Sequence, residues 1–218
     1  MFNFSGSTYK WRWGRSSRRR EERPGVRFAA YAGAVPAVCV FCSSSLTIDQ
    51  RYPELAAEVG GAIAGRGWDL VSGAGSISMM GALARGARAA GGRTIGVIPE
   101  ALLALEVADR ESDEFLVTRD MRQRKGLMDE RSDAFLALPG GIGTLEELVE
   151  VWTARSLNMH HKPVVVLDPW GDFDHLHRLL DHWQAQGFVR PETVRHVRWT
   201  RDVQAALDSV EDGWARRP

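Results

Sequence analysis

Ala134-Phe135-Leu136-Ala137-Leu138-Pro139-Gly140-Gly141-Ile142-Gly143-Thr144-Leu145-Glu146-Glu147 reads as a strand, a glycine-rich turn and the opening of a helix. Ala134–Leu138 is an unbroken apolar run stopped by Pro139. After the glycines the period changes, and Leu145, Leu148, Val149 and Trp152 form one stripe of a helix expected over Thr144–Leu157. Consecutive amides at a helix start, helped by the helix dipole, favour an anion such as phosphate. Glycine permits positive φ and close approach of a ligand. No Gly-Lys-Ser/Thr follows, so this is not a triphosphate-binding loop, nor is it a dinucleotide G-x-G-x-x-G. Thr144 and Glu147 also spell Thr-x-x-Glu, a capping box, so Glu147 caps the helix, faces a bound sugar, or does both.

The same alternation extends in both directions. Val38–Cys42, Trp68–Ser72, Thr94–Ile98, Phe115–Thr118 and Pro163–Leu167 read as further strands, the last being the final clear one. Helices are expected over Tyr52–Arg66, Met79–Ala90, Met121–Arg131, Phe173–Gln186 and Val203–Val210. Strands that are apolar throughout belong to a sheet covered on both sides. The chain is therefore an α/β protein with a mostly parallel sheet and helices on both faces. Ligands of such folds bind beyond the carboxyl ends of the strands. Three turns are expected there: Ser43–Thr47, Gly73–Gly81 and Pro139–Thr144. Ser43, Gly73, Gly75 and Met80 are accordingly candidate substrate contacts.

Composition is that of a globular protein, with 44% hydrophobic and 26% charged residues in 218. No apolar stretch of roughly eighteen residues is present to span a membrane. Residues 1–30 hold eight Lys/Arg against Glu21 and Glu22, a net +6 that leaves −6 for the rest of a chain with 28 basic and 28 acidic residues. Residues 1–34 are expected to be a basic, disordered extension without a signal-peptide core, 35–212 one domain and 213–218 a tail. The acidic body argues against nucleic acid as partner. Cys39 and Cys42 lie on opposite faces of a strand and lack a second pair, so they are expected as reduced core residues of a cytoplasmic protein. His160-His161 is expected in a solvent-facing turn, and no histidine cluster has metal-ligand spacing.

Pro139–Glu147 fits P-G-G-x-G-T-x-x-E and resembles the LONELY GUY (LOG) family of cytokinin riboside 5′-monophosphate phosphoribohydrolases, whose members also carry the older label "lysine decarboxylase-like". Val38–Ser45, Gly91-Gly92, Gly96–Pro99, Met121-x-x-Arg124-Lys125, Asp133–Leu138, Lys162-Pro163 and Gly187-Phe188 follow in the family's order, over roughly residues 36–212. The resemblance implies a Rossmann-like three-layer fold, a homodimer, and hydrolysis of the N-glycosidic bond of N6-substituted AMP to free base and ribose 5-phosphate. It implies Arg124 and Glu147 as the catalytic pair. Glu106, Lys125, Gly140, Gly141, Gly143, Thr144, Glu146 and Thr153 would line the nucleotide site, without cofactor or metal. Ala74 and Ser78 stand where the family usually has glycine, and Arg122 where it has histidine, as in its actinobacterial branch. Two other readings compete: an AMP nucleosidase indifferent to N6 substitution, and a non-catalytic carrier of a nucleotide or of the molybdenum cofactor. The decarboxylase label lacks support, because Lys10, Lys125 and Lys162 fall in a tail, a charged helix and a turn rather than in a prepared Schiff-base site.

Overall fold

A computed structural model describes residues 35–103 and 108–216; the expectations for residues 1–34 and for Glu106 lie outside them. Strands β1 (Ala37–Phe41), β2 (Asp69–Ser72), β3 (Thr94–Pro99) and β4 (Glu114–Thr118) alternate with helices α1 (Arg51–Gly65) and α2 (Ser78–Ala89), a 3-10 turn at Glu100–Leu102 following β3. Then come α3 (Met121–Glu130), β5 (Ala134–Ala137), α4 (Ile142–Ser156), β6 (Val164–Leu167), α5 (Asp174–Ala185), α6 (Pro191–Arg195), β7 (Val197–Thr200) and α7 (Val203–Ala215). All six strand pairings are parallel, in the order β4-β3-β2-β1-β5-β6-β7.

Side-chain alternation along the strands builds two cores. Val38, Val40, Leu70, Leu136 and Val165 face α1, α2 and α7, where Val59, Ile63, Leu83 and Leu207 meet them. Cys39, Phe41, Val71, Phe135 and Val166 face Met128, Leu148, Trp152 and Leu180 from the helices on the other side. The result is the expected three-layer arrangement. Cys39 and Cys42 are both free; Cys39 belongs to the second core and Cys42 packs against the first. Helices α1 and α2 approach closely at glycine: a Cβ at Gly60 would lie 2.1 Å from the Leu83 carbonyl oxygen.

Three elements differ from expectation, the first being the short helix α6, which the sequence reading did not include. Pro163–Leu167 is not the last strand, because Val197–Thr200 pairs with β6 as β7. Four residues including an exposed Arg198 carry too little apolar pattern to be read alone, and pairing with β6 is what makes them a strand. The last helix also runs past residue 212 to Ala215. Trp214 ends it against Trp68, with ring centroids 4.6 Å apart, and donates to the Asp133 carbonyl at 2.9 Å.

Candidate active site

The strand order reverses between β1 and β5, since the chain builds β1 to β4 outward on one side and β5 to β7 on the other. A crevice outside the carboxyl ends of these two neighbours is where α/β sheets bind ligands. The Ser43–Thr47 turn leaves β1 there, and Pro139–Gly141 leaves β5. Gly140, Gly141, Ile142 and Gly143 are exposed, while Thr144 is 4% exposed. The first bond of α4 runs from the Leu145 N–H to the Gly141 carbonyl, so the amides of residues 142–144 precede the helical ladder.

The reason for the glycines differs from the sequence reading. None of Gly140, Gly141 and Gly143 has positive φ. A Cβ at Gly140 would fall 2.2 Å from the Thr144 hydroxyl, so this glycine admits the threonine. Nothing lies within 4 Å of a Cβ at Gly141 or Gly143, and absent side chains there leave the amides open to an anion. Nor is there a capping box: Gly141 is the N-cap, no side chain caps the helix, and α4 begins two residues before Thr144. Glu147 is therefore not a capping residue.

Glu147 instead faces Arg124 across the α3–α4 interface, Nη1 to Oε1 at 3.4 Å. The Arg124 side chain is 8% exposed and that of Glu147 13%. The rest of the guanidinium is held by backbone: Nε donates to the Val97 carbonyl at 3.1 Å and Nη2 to that of Gly73 at 3.3 Å. These carbonyls orient the arginine, leaving one long contact for the carboxylate. Burial dominates that contact. It pushes the Glu147 pKa from its ordinary 4.5 up to about 7, with Arg124 opposing and Glu146 adding to the rise. The desolvating surroundings include an apolar cavity of about 180 Å³ whose walls include Phe41, Met128, Phe135, Val151 and Met159 besides Glu147.

Adjacent helical residues point about 100° apart, and both helices use this. Lys125 turns away from Arg124 to Glu146, and to Glu150 at 2.8 Å, so Lys125 and Glu146 are committed to each other. Burial lowers the Lys125 pKa, yet the two carboxylates outweigh it and leave it raised. On the second turn, Met80 packs on Gly73 and Gly75: a Cβ at Gly73 would lie 2.7 Å from Met80 Cε, and one at Gly75 2.9 Å from its sulfur. Ala74 and Ser78 both have left-handed backbone, φ 56° and 50°. Each side chain there costs roughly 1–2 kcal/mol relative to glycine. The Ser78 hydroxyl gives something in return, donating to the Ser45 carbonyl and so tying the second turn to the first. Ser43 stays within its own turn, its hydroxyl accepting from the Ser45 N–H at 3.1 Å.

The remaining candidates scatter. Thr153 is exposed near the far end of α4. His160 is not solvent-facing as expected: it is half-buried, bonds the Val151 carbonyl at 2.9 Å and lines the cavity beside Glu147. Burial lowers its pKa. Lys162 is bound to Asp129, 2.6 Å away. Among the described residues no group of three or more His, Cys, Asp or Glu is arranged to hold a metal ion. Sequence reading missed the Val97 and Gly73 carbonyls and the Ser78–Ser45 tie, because backbone acceptors leave no residue-type signal.

The geometry can be set beside known proteins. A family model described as "possible lysine decarboxylase" matches residues 80–210. The cytokinin riboside 5′-monophosphate phosphoribohydrolase of Mycobacterium tuberculosis is 50% identical over 170 residues, 78% of this chain and 90% of that one. An Arabidopsis thaliana enzyme of the same name is 42% identical over 160 residues, 73% of this chain and 75% of that one. Among solved structures, the molybdenum cofactor carrier protein of Chlamydomonas reinhardtii superposes with a TM-score of 0.65 at 26% identity, covering 84% of this chain and all of that one. Identity of this extent over most of the chain makes it a member of the cytokinin riboside 5′-monophosphate phosphoribohydrolase (LOG) family.

Proposed function

We propose that this chain hydrolyses the N-glycosidic bond of N6-substituted adenosine 5′-monophosphates, releasing the free base and ribose 5-phosphate. The observation that carries this reading is a buried arginine–glutamate pair at the mouth of a crevice whose other wall is a row of open amides. Relatives that bear this activity in their names, and that the chain covers to 90% and 75% of their length, support it. In the proposed reaction the phosphate sits on the amides of residues 142–144, with the ribose directed towards Glu147. The bond from C1′ to the base breaks through an oxocarbenium-like sugar, which an opposing carboxylate stabilises. Water adds its oxygen to C1′ and yields a proton to Glu147, the departing base takes a proton from solvent, and Glu147 returns its own to solvent, so the net transfer is one water proton to the base. Arg124 holds Glu147 in place and offsets negative charge on the phosphate or the leaving group. Glu106 and Thr153 are proposed as further nucleotide contacts. A homodimer and a cytoplasmic location belong to the same proposal.

Incubation with AMP and with isopentenyl-AMP, scoring released base and ribose 5-phosphate, is the direct test. Faster release of isopentenyladenine is expected. Equal rates would assign an AMP nucleosidase without N6 preference. No release, with tight retention of a nucleotide or pterin, would assign a carrier, the reading favoured by the similarity to the molybdenum cofactor carrier fold.

A subtler variant tests the seat of the arginine. A Cβ at Gly73 would fall 1.8 Å from Arg124 Nη2. Gly73→Ala is therefore expected to move the guanidinium and lower turnover by about tenfold to a hundredfold, as misplacement on the order of 1 Å does. The melting temperature would be measured alongside. Unchanged kinetics would show that the arginine's position is not critical.

A further inference from the structure

We infer that the chain has a second anion site, for a diphosphate group, at the opposite end of the sheet from the crevice. A cleft of about 330 Å³ opens beside Val164, the first residue of β6, and is walled by Arg155, Arg195, Arg198 and Arg216 with Asp212. All strands are parallel, so this end is the amino edge of the sheet and the glycine turn lies past its carboxyl edge. A four-residue strand separates the two by roughly 13 Å at about 3.3 Å per residue.

Four guanidinium groups against Asp212 and the Arg195 partner Glu192 leave the cleft a formal +2 in a chain whose net charge is zero. The arginines come from four elements or their immediate ends: Arg155 from α4, Arg195 from α6, Arg198 from β7 and Arg216 after α7. Tertiary folding, and not a local charge run, brings them together. Two of their ion pairs are exposed: Arg195 to Glu192 and Arg216 to Asp212, each at 3.0 Å with both partners more than 60% exposed. Such pairs contribute little and are readily exchanged for a better anion. Arg198 makes no ion pair among the described residues. Arg155 is turned inward, donating to the Lys162 carbonyl. His196 in the same wall has its pKa lowered, mainly by burial, with Arg155 and Arg195 adding to the fall and Glu192 opposing it.

The ligand class follows from charge, shape and size. Arginine forks suit phosphate oxygens. A site of about 330 Å³ is at the small end of ligand pockets, which run from about 300 to 1,000 Å³. Arg195, Arg198 and Arg216 come from three separate elements, and a diphosphate has oxygens on two phosphorus atoms to reach all three forks where a single phosphate offers one cluster.

Titration calorimetry of the full chain with inorganic pyrophosphate tests this, with orthophosphate, ADP, and sulfate at matched ionic strength in parallel. Saturable pyrophosphate binding is expected, at least tenfold tighter than orthophosphate. It should survive Arg124→Ala, weaken at least tenfold in Arg198→Glu and in Arg216→Glu, and leave base release by those two surface variants unchanged. ADP binding that weakens in the same two variants would assign the diphosphate to a nucleotide, and absence of such ADP binding to the free ion. Three results would overturn the inference: no pyrophosphate binding at millimolar concentration, loss of binding in Arg124→Ala with retention in Arg198→Glu, or a sulfate curve that matches pyrophosphate. Failure here leaves the proposed hydrolase untouched, since its test reads base release at the other edge of the sheet.

Discussion

Glu147→Gln is expected to lower base release by about a hundredfold or more while making the folded chain more stable above neutral pH. Both effects have one cause. The carboxyl is drawn among α3, α4 and an apolar cavity, and its pKa rises to about 7 because burial disfavours the charge more than Arg124 favours it. An ordinary carboxyl in the unfolded chain ionises near 4.5. Between these two values the folded chain holds a proton that the unfolded chain has lost, so this group's contribution to stability falls as pH rises through the window. By about a unit above 7 the loss is complete and amounts to about 3 kcal/mol, at ~1.4 kcal/mol per pKa unit. Glutamine carries no charge to desolvate. The variant should therefore match the parent in denaturant melts near pH 4.5 and exceed it increasingly up to pH 8. The parent's turnover should rise with pH through an apparent value near 7, because the ionised carboxylate is the form that stabilises a cationic sugar. Near-normal turnover in the variant would remove Glu147 from the mechanism. A stability difference independent of pH would show that the residue is not held as a buried acid.

Arg124→Ala should cost a comparable factor in turnover, about a hundredfold or more, with the opposite sign in stability. The guanidinium serves three oxygen acceptors, the Val97 and Gly73 carbonyls and Glu147, besides the Met121 sulfur. Leaving a buried acceptor unpaired costs about 1–3 kcal/mol. Loss of Arg124 also removes the strongest influence holding the Glu147 pKa down. The activity that remains should titrate at higher pH than in the parent, a readout that simple loss of packing would not move. Arg124→Lys should recover little, since an ammonium has no planar fork to bridge acceptors set by three different elements. Circular dichroism of both variants would show whether the fold persists. Parent-like turnover in Arg124→Ala would exclude the arginine.

Much of the fold was legible in the chain because its determinants are short-range. Val38–Cys42, Thr94–Ile98 and Ala134–Leu138 are apolar on both faces, which only a covered parallel sheet requires, and their observed bounds shift by one residue at most. β7 was not legible, for Val-Arg-Trp-Thr becomes a strand only beside β6. The phosphate turn could be recognised from its glycines, though for a partly mistaken reason: their use here is room for Thr144 and bare amides, not positive φ. Left-handed backbone occurs instead at Ala74 and Ser78, residue types that do not announce it.

The linear order of residues by itself determined the α/β class and the place of the glycine turn before α4, and its resemblance to a family supplied the candidacy of Arg124 and Glu147. Periodicity, glycine content and motif spacing act over a few neighbouring residues, so they survive in one dimension. Only the tertiary structure decided that Glu147 meets Arg124 and not a helix cap, that Lys125 goes to Glu146 and Glu150, and that the acid titrates near neutrality. Desolvation and pairing depend on which layers close over a side chain, and that exists only once the helices have packed on the sheet.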